Sequence, residues 1–285
     1  MSVITVAGLQ LALPPNTNNF DTIASQVRSV KKRFPHLTLV MLSELATFGP
    51  APRFAETLPG DMEEKYRTLA TETDLWLITG SLFERADERV YNTASAISPQ
   101  GEVVARYRKM FPFLPYEEGI SAGEEACVFD IPGVGCFGLS ICYDMWFPET
   151  IRALTWQGAE VILHPTLTNT VDRDVELSIA KASAATNQCY LFDVNAAAPM
   201  GVGKSIIAGP GGETLHQSGA EQDVMVMDID MNYVRRVRET GWNSLGQPLK
   251  SFRDHPIDYP QYQAGARSGC LDNLGPLRKP GSKLA

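Results

Sequence analysis

Three reactive side chains stand where apolar, β-rich runs of the sequence stop. Cys142 closes GLSIC and is followed at once by YDMWFPE, Glu44 closes LTLVMLSE, and Lys109 closes GEVVARYRK. A run of this kind delivers its last side chain to the carboxyl edge of a sheet, where α/β proteins place their chemistry. A thiol, a carboxylate and an ammonium gathered there can form a cysteine hydrolase site. Amide cleavage needs a strong nucleophile, a stabiliser for the oxyanion and a proton donor for the departing nitrogen. Cys142 supplies the first. Lys109 supplies a fixed positive charge, which favours thiolate if it lies near the sulfur and the oxyanion if it lies near the carbonyl. Glu44 follows an apolar run, so desolvation should raise its pKa toward the range useful for proton transfer. Each residue also has a structural reading: Glu44 as a solvated strand end, Lys109 as one of the cluster Arg106, Arg108 and Lys109, and Cys142 as core.

The elements that must position these groups alternate along the chain. SVITVAGLQLA, LTLVMLSE, LWLITGSLFE, VGCFGLSIC, EVILHP, CYLFDVNAA and DVMVMDID read as strands. VYNTASAISPQGEVVARYRK and GKSIIAGPGGETLHQ read as hairpins. Helices are expected over 22–34, 61–73, 148–158 and 173–187, the second capped by Gly60-Asp61 and the third opened by Pro148. Residues 110–126 read as an irregular loop, and a polar tail begins at about 235. The pattern predicts one mixed α/β domain over 1–285.

Composition bounds the function. With 285 residues and 44% hydrophobic content, the chain can bury a large core. Its net charge of −8 gives no support to nucleic-acid binding, and no apolar run approaches the roughly 18 residues of a membrane span. The opening MSVITVAGLQLAL lacks a basic segment and reads as a first strand, not a signal peptide. Five cysteines without CxxC spacing argue against a disulfide framework or a zinc site and fit a reducing cytosol. Cys127, Cys136 and Cys189 read as small buried hydrophobes, and Cys270 as exposed. His164 and Thr166, in the strand end HPT, are candidates for facing the substrate, with a structural role as the alternative for His164.

At these residues the chain resembles the nitrilase superfamily of carbon–nitrogen hydrolases. The acid segment resembles LVMLSELATFG, the lysine segment YNTASAISPQGEVVARYRKMF and the nucleophile segment GLSICYDMWFPE, with NQCYLFDVNAA and GKSIIAGPGGE following in order. The resemblance implies an αββα sandwich that pairs into a dimer, a Cys142–Glu44–Lys109 site, and neither metal nor organic cofactor. It also implies a second glutamate in the loop after the lysine, with Glu117 the better match and Glu118 the rival. Tyr143 would offer its backbone N–H to the oxyanion. The segment Ala182-Ser183-Ala184-Ala185-Thr186-Asn187 lacks an Arg and a Glu common in the family, and Ser43 replaces a usual Pro.

The implied activity is hydrolysis of a small carboxamide through a cysteine thioester, with an N-carbamoyl substrate as the alternative. Cys142-Tyr143-Asp144 resembles the amidase and carbamoylase branches, whereas the nitrile-cleaving branch usually has Trp-Glu after the cysteine. A non-catalytic assembly protein on the same fold would be expected to lose one of the three residues, and none is lost. A redox-sensing thiol would pair Cys142 with Cys136 or Cys189, and the spacing does not call for it.

Overall fold

The computed structural model describes residues 3–255 and 257–279. β1 (Val3–Gln10) is apolar on both sides because both of its faces are covered. Ile4 and Val6 point into a core between two sheets, and Ala7 and Leu9 point to a helical layer. β2 (Leu39–Leu42) repeats the arrangement, with Leu39 and Met41 on one side and Val40 and Leu42 on the other. The first sheet is completed by β3 (Trp76–Ile78), β4 (Leu82–Ala86), β5 (Arg89–Ile97), β6 (Val103–Arg108) and, beside β1, β13 (Asp223–Asp230). The second sheet holds β7 (Cys127–Ile131), β8 (Gly135–Leu139), β9 (Val161–Thr166), β10 (Tyr190–Asn195), β11 (Ile206–Ala208) and β12 (Thr214–Gln217), in spatial order β12-β11-β10-β9-β8-β7.

Phe137, Leu139, Leu163, Phe192 and Val194 of the second sheet meet Ile4, Val6 and Met41 of the first. Gly8 lets the sheets close up, since a Cβ there would lie 2.6 Å from Val194 Cγ2. α1 (Phe20–Arg33) and α2 (Asp61–Thr73) cover the first sheet with Ile23, Val27, Met62, Tyr66 and Leu69 at helical spacing. α3 (Pro148–Trp156) and α4 (Asp172–Asn187) cover the second with Ile151, Leu154, Leu177, Ala180 and Ala184. The four layers make the expected αββα sandwich.

Strand direction brings the reactive ends together. β2 runs parallel to β1 and β3. β5 is antiparallel to β3 and to β6, so β6 runs with β2 and ends on the same edge. β8, β9 and β10 are mutually parallel, so their carboxyl ends also share one edge.

Local differences from the sequence-based elements have physical causes. LWLITGSLFE is two strands, because Gly80 (φ +71) turns the chain between β3 and β4. CVFDI, to which the sequence pattern assigns no element, is strand β7, paired antiparallel with β8. The polar tail begins later than about 235: α5 (Met231–Thr240) inserts Val234 and Val237 into the body, and most of the described residues beyond Gly241 are exposed. Gly60 offers no side-chain cap to α2, and the Met62 backbone N–H instead donates to Glu56 Oε2 at 3.1 Å.

Gly80 also backs the acid segment. A Cβ there would stand 2.0 Å from Ser43 O, the carbonyl just before Glu44. Gly80→Ala is therefore expected to cost more than about 2 kcal/mol in urea unfolding. Gly119, with φ +83 but nothing within 4 Å of a Cβ, is expected to lose only about 1 kcal/mol on the same change.

Candidate active site

Lys109 is the hub of a buried cluster. Along β6 and the residue after it the side chains alternate: Tyr107 and then Lys109 point inward, and Arg106 and Arg108 point outward to Glu63 and Glu84. This alternation separates Lys109 from its basic neighbours. Its Nζ donates to Glu44 Oε1 and to Glu117 Oε2, both at 2.8 Å. Glu44 lies beyond the end of β2 in a turn, 3% exposed, and its backbone N–H donates to Thr166 O at 3.2 Å, tying the acid segment to the other sheet. Glu117 comes from the loop after β6, where the Phe113 backbone N–H donates to its Oε2 at 2.5 Å. Glu118 is exposed.

Asn92 of β5 completes the cluster, and sequence reasoning missed it. Its Nδ2 donates to Glu44 Oε1 at 2.8 Å and to Glu117 Oε1 at 3.3 Å, so one amide holds both carboxylates. Asparagine is depleted in strands, so its place within the strand-like run YNTASAI was the available signal.

Cys142 does not end the strand. β8 stops at Leu139, and Cys142 opens a 3₁₀ turn, Cys142–Trp146, with φ +46. Strain of this kind in a non-glycine residue clusters at functional sites. Asp144 fixes the turn, and sequence reasoning missed this residue too. Its Oδ2 accepts from Tyr107 OH at 2.6 Å and from the Ile141 N–H at 2.9 Å, and its Oδ1 accepts from the Phe111 N–H at 2.8 Å. The nucleophile turn is thereby bolted to the strand that carries Lys109. Burial pushes the Asp144 carboxyl up to about 6, against these hydrogen bonds.

Burial and the charge of Glu44 push the Cys142 thiol well up, and Lys109 offsets them only in part. The pull of Lys109 toward thiolate is thus outweighed by burial and by the charge of Glu44. Burial also raises Glu44, with Glu117 adding to the effect and Lys109 opposing it. Burial alone would lower Lys109, but Glu44, Cys142 and Glu117 outweigh it and keep the ammonium charged.

A cavity of 260 Å³ opens over Cys142, bounded by Phe113, Tyr143, Trp146, Thr168 and Glu176. A larger depression of 800 Å³ lies elsewhere, between Arg108, Tyr91 and Cys127, and holds none of the clustered groups. Tyr143 lines the smaller cavity. His164 and Thr166 do not. Both sit on the helical side of β9, fully covered, with the His164 Nδ1 3.1 Å from Ser140 Oγ. The residue that reaches the sulfur is instead Thr168, with Oγ1 3.9 Å from Cys142 Sγ. Its backbone is pinned at both N–H and C=O by the Asn195 side chain, at 2.9 and 3.0 Å. Cys189 is buried and Cys270 exposed as expected, whereas Cys127 and Cys136 are half-buried. Among the described residues no group of three or more His, Cys, Asp or Glu side chains could hold a metal ion.

Residues 5–239 match the family described as carbon–nitrogen hydrolase. The chain belongs to this family. It is similar to the omega-amidase of Mus musculus, 26% identical over 257 residues that cover 84% of this chain and 93% of the relative. The deaminated glutathione amidase of Bos taurus is 29% identical over 255 residues, covering 79% and 76%. Among solved structures, an amidase from Nesterenkonia sp. superposes with a TM-score of 0.74 at 26% identity, covering 83% of this chain and 94% of the other. Nit3 of Saccharomyces cerevisiae, described as a nitrilase superfamily member, shares the fold with a TM-score of 0.77 at 24% identity, covering 84% and 94%.

Two predictions follow from the geometry. Glu117→Gln should lower the acylation rate about a hundredfold or more, while Glu118→Gln should stay within about twofold, read by rapid-quench kinetics on an amide. Burial pushes His164 down to about 3, below its ordinary 6.5, so the folded protein holds it neutral. Stability from this group is intact above pH 6.5 and is lost as the pH falls from 6.5 to 3, at up to about 1.4 kcal/mol per unit. Asp144, raised from 3.8 to about 6, acts with the opposite sign across part of that window. The difference between wild type and His164→Gln in urea unfolding is therefore the readout, and the variant should lose less stability on acidification.

Proposed function

We propose that this protein hydrolyses a small carboxamide and releases ammonia through a thioester on Cys142. The observation that carries the reading is Lys109 Nζ, held at 2.8 Å from both Glu44 and Glu117 beside a strained cysteine that lines a 260 Å³ cavity. Relatives named as amidases support it, as does the Nesterenkonia amidase, which has been solved with butyramide in a cysteine-to-alanine form. A cavity of this size fits an amide of a few carbon atoms.

Glu44 accepts the Cys142 proton as the substrate carbonyl arrives, and the sulfur attacks the carbonyl carbon. Lys109 and the Tyr143 backbone N–H hold the oxyanion, and losing such a donor typically costs about 2.7–4 kcal/mol. The proton returns to the nitrogen, the C–N bond breaks, ammonia leaves, and the acyl group remains on sulfur. Glu44 then takes a proton from water, whose oxygen attacks the thioester and frees the acid and the thiol. Glu117 positions the substrate nitrogen and shares in the proton transfers. A resting protonated thiol suits this sequence, since the carboxylate removes the proton only when an electrophile is in place. The same groups would cleave an N-carbamoyl substrate, which stands as the alternative; metal or organic cofactor enters neither scheme.

One domain, a homodimer and a cytoplasmic location complete the proposal. Val171 (89% exposed) and Trp156 (65% exposed) lie at the outer helical layer, which is where a second copy would bury apolar surface. The odd, unpaired cysteines fit a reducing compartment. Among the described residues no helix is long and apolar enough to cross a membrane.

An ammonia-release screen over small amides, ureides and nitriles tests the function, and at least one short amide should be the best substrate. Cys142→Ala should remain folded and fall below about 1% of wild-type turnover, since losing a nucleophile costs many orders of magnitude. Higher residual activity in a purified, folded sample would remove Cys142 from the mechanism.

A further inference from the structure

The lining of the cavity over Cys142 mixes polar and aromatic side chains, with Leu167 as an aliphatic member. The polar ones are Thr168, Asn169, Thr170, Asp172 and Glu176, and no lysine, arginine or histidine is among the described residues that line it. The aromatic ones are Phe113, Tyr143 and Trp146, with Tyr143 4.9 Å from Phe113 and 6.2 Å from Trp146 between ring centroids. Lys279 lies over the ring of Tyr116, which is not among the lining residues.

Glu176 sits on α4, 4% exposed, and is built into this wall. Its Oε1 accepts from Thr168 Oγ1 at 3.0 Å and from Trp146 Nε1 at 3.4 Å, and its Oε2 accepts from Arg173 Nη1 at 3.1 Å. The same Arg173 nitrogen stands 2.8 Å from Asp193 Oδ2, and its other nitrogens donate to Lys204 O. One guanidinium shared by two carboxylates leaves Glu176 short of a full counter-charge. Thr168 links Glu176 directly to the nucleophile, since its Oγ1 lies 3.9 Å from Cys142 Sγ. A carboxylate beside an aromatic ring, as Glu176 is beside Trp146, is an arrangement that recognises an ammonium, by ion pairing and by cation–π attraction.

We propose that this cavity selects small amides carrying an ammonium group at the end remote from the scissile carbonyl, with Glu176 as the residue that reads the charge. The inference rests on the amide-hydrolase reading of Cys142 and specifies its substrate class. A substrate carboxylate in the same place would face Glu176 and Asp172 with no cation to meet it, so the site excludes acids as well as attracting amines. The ammonium would act on the chemistry too. The charge of Glu176 is one of the influences that hold the Cys142 thiol up. A bound cation beside Glu176 cancels that influence and eases proton transfer to Glu44 when the right substrate is present.

Three amides of matched length test this: γ-aminobutyramide (cation), pentanamide (neutral) and the monoamide of glutaric acid (anion). In wild type kcat/KM should favour the cation over the neutral amide by about tenfold or more and over the anion by about a hundredfold or more. Glu176→Gln keeps the hydrogen-bonding shape, so it should shrink the cation-to-neutral ratio about tenfold, carried by KM. Asp172→Asn, at the first turn of α4, should shrink it less. Calorimetric binding of the same compounds to Cys142→Ala gives a readout that needs no turnover. Preferential binding of the cation supports the inference even if ammonia release fails and the amidase reading falls. Equal or inverted preference among the three, in turnover or in binding, overturns the inference while leaving amide hydrolysis standing. A Glu176→Gln protein that folds by circular dichroism and keeps the wild-type ratio overturns it as well.

Discussion

A single buried ammonium organises this protein's site. Lys109 is 1% exposed and meets two carboxylates from distant parts of the chain, Glu44 and Glu117. Taking such charges out of water costs several kcal/mol per ion, and only close, well-directed contacts recover it. The fold supplies them. Asn92 donates to an oxygen of each carboxylate, and the Phe113 N–H holds Glu117 in place. With one cation between two anions, the excess negative charge keeps Lys109 protonated and, with burial, keeps Glu44 raised. That imbalance leaves Glu44 ready to accept a proton while a positive charge remains for an oxyanion.

The architecture follows from the need to bring three strand ends to one place. β2 and β6 belong to one sheet and point the same way only because β5 reverses between β3 and β6. Cys142 comes from the other sheet, so the packing of the two apolar faces sets the distance between nucleophile and charges. Small movements there would be felt, and the molecule contains ties across the gap. Asp144 accepts from Tyr107 and Phe111, Glu44 donates through its backbone to Thr166, and Gly8 permits the close approach of β1 and β10.

Much of this was legible in the sequence, and the limits are physical. Near-continuous apolar runs in β1, β2, β9 and β10, and helical spacing in α1 to α4, carried the layer order. The positions of Glu44, Lys109 and Cys142 at the ends of apolar runs carried the cluster. Period-two alternation also distinguishes Lys109 from Arg106 and Arg108 once the inward direction of Tyr107 is known. What could not be read were contacts between segments far apart in sequence. Asn92 meets Glu44 across 48 positions and Tyr107 meets Asp144 across 37, and neither pairing leaves a local pattern. His164 misled because a polar residue at a strand end can face either side of a sheet; here parity with Ile162 turns it under the helices. Thr168 and Glu176 were missed because the first lies in the loop just past β9 and the second on α4, and neither closes an apolar run.

The most direct test is rapid-quench intact-mass analysis of wild-type protein mixed with a short amide. A transient species heavier by one acyl group, with peptide mapping that places it on Cys142 and with ammonia released in step with its formation, is the predicted result. An adduct on another residue, or ammonia release that proceeds at the wild-type rate after Cys142 has been fully alkylated, would contradict it.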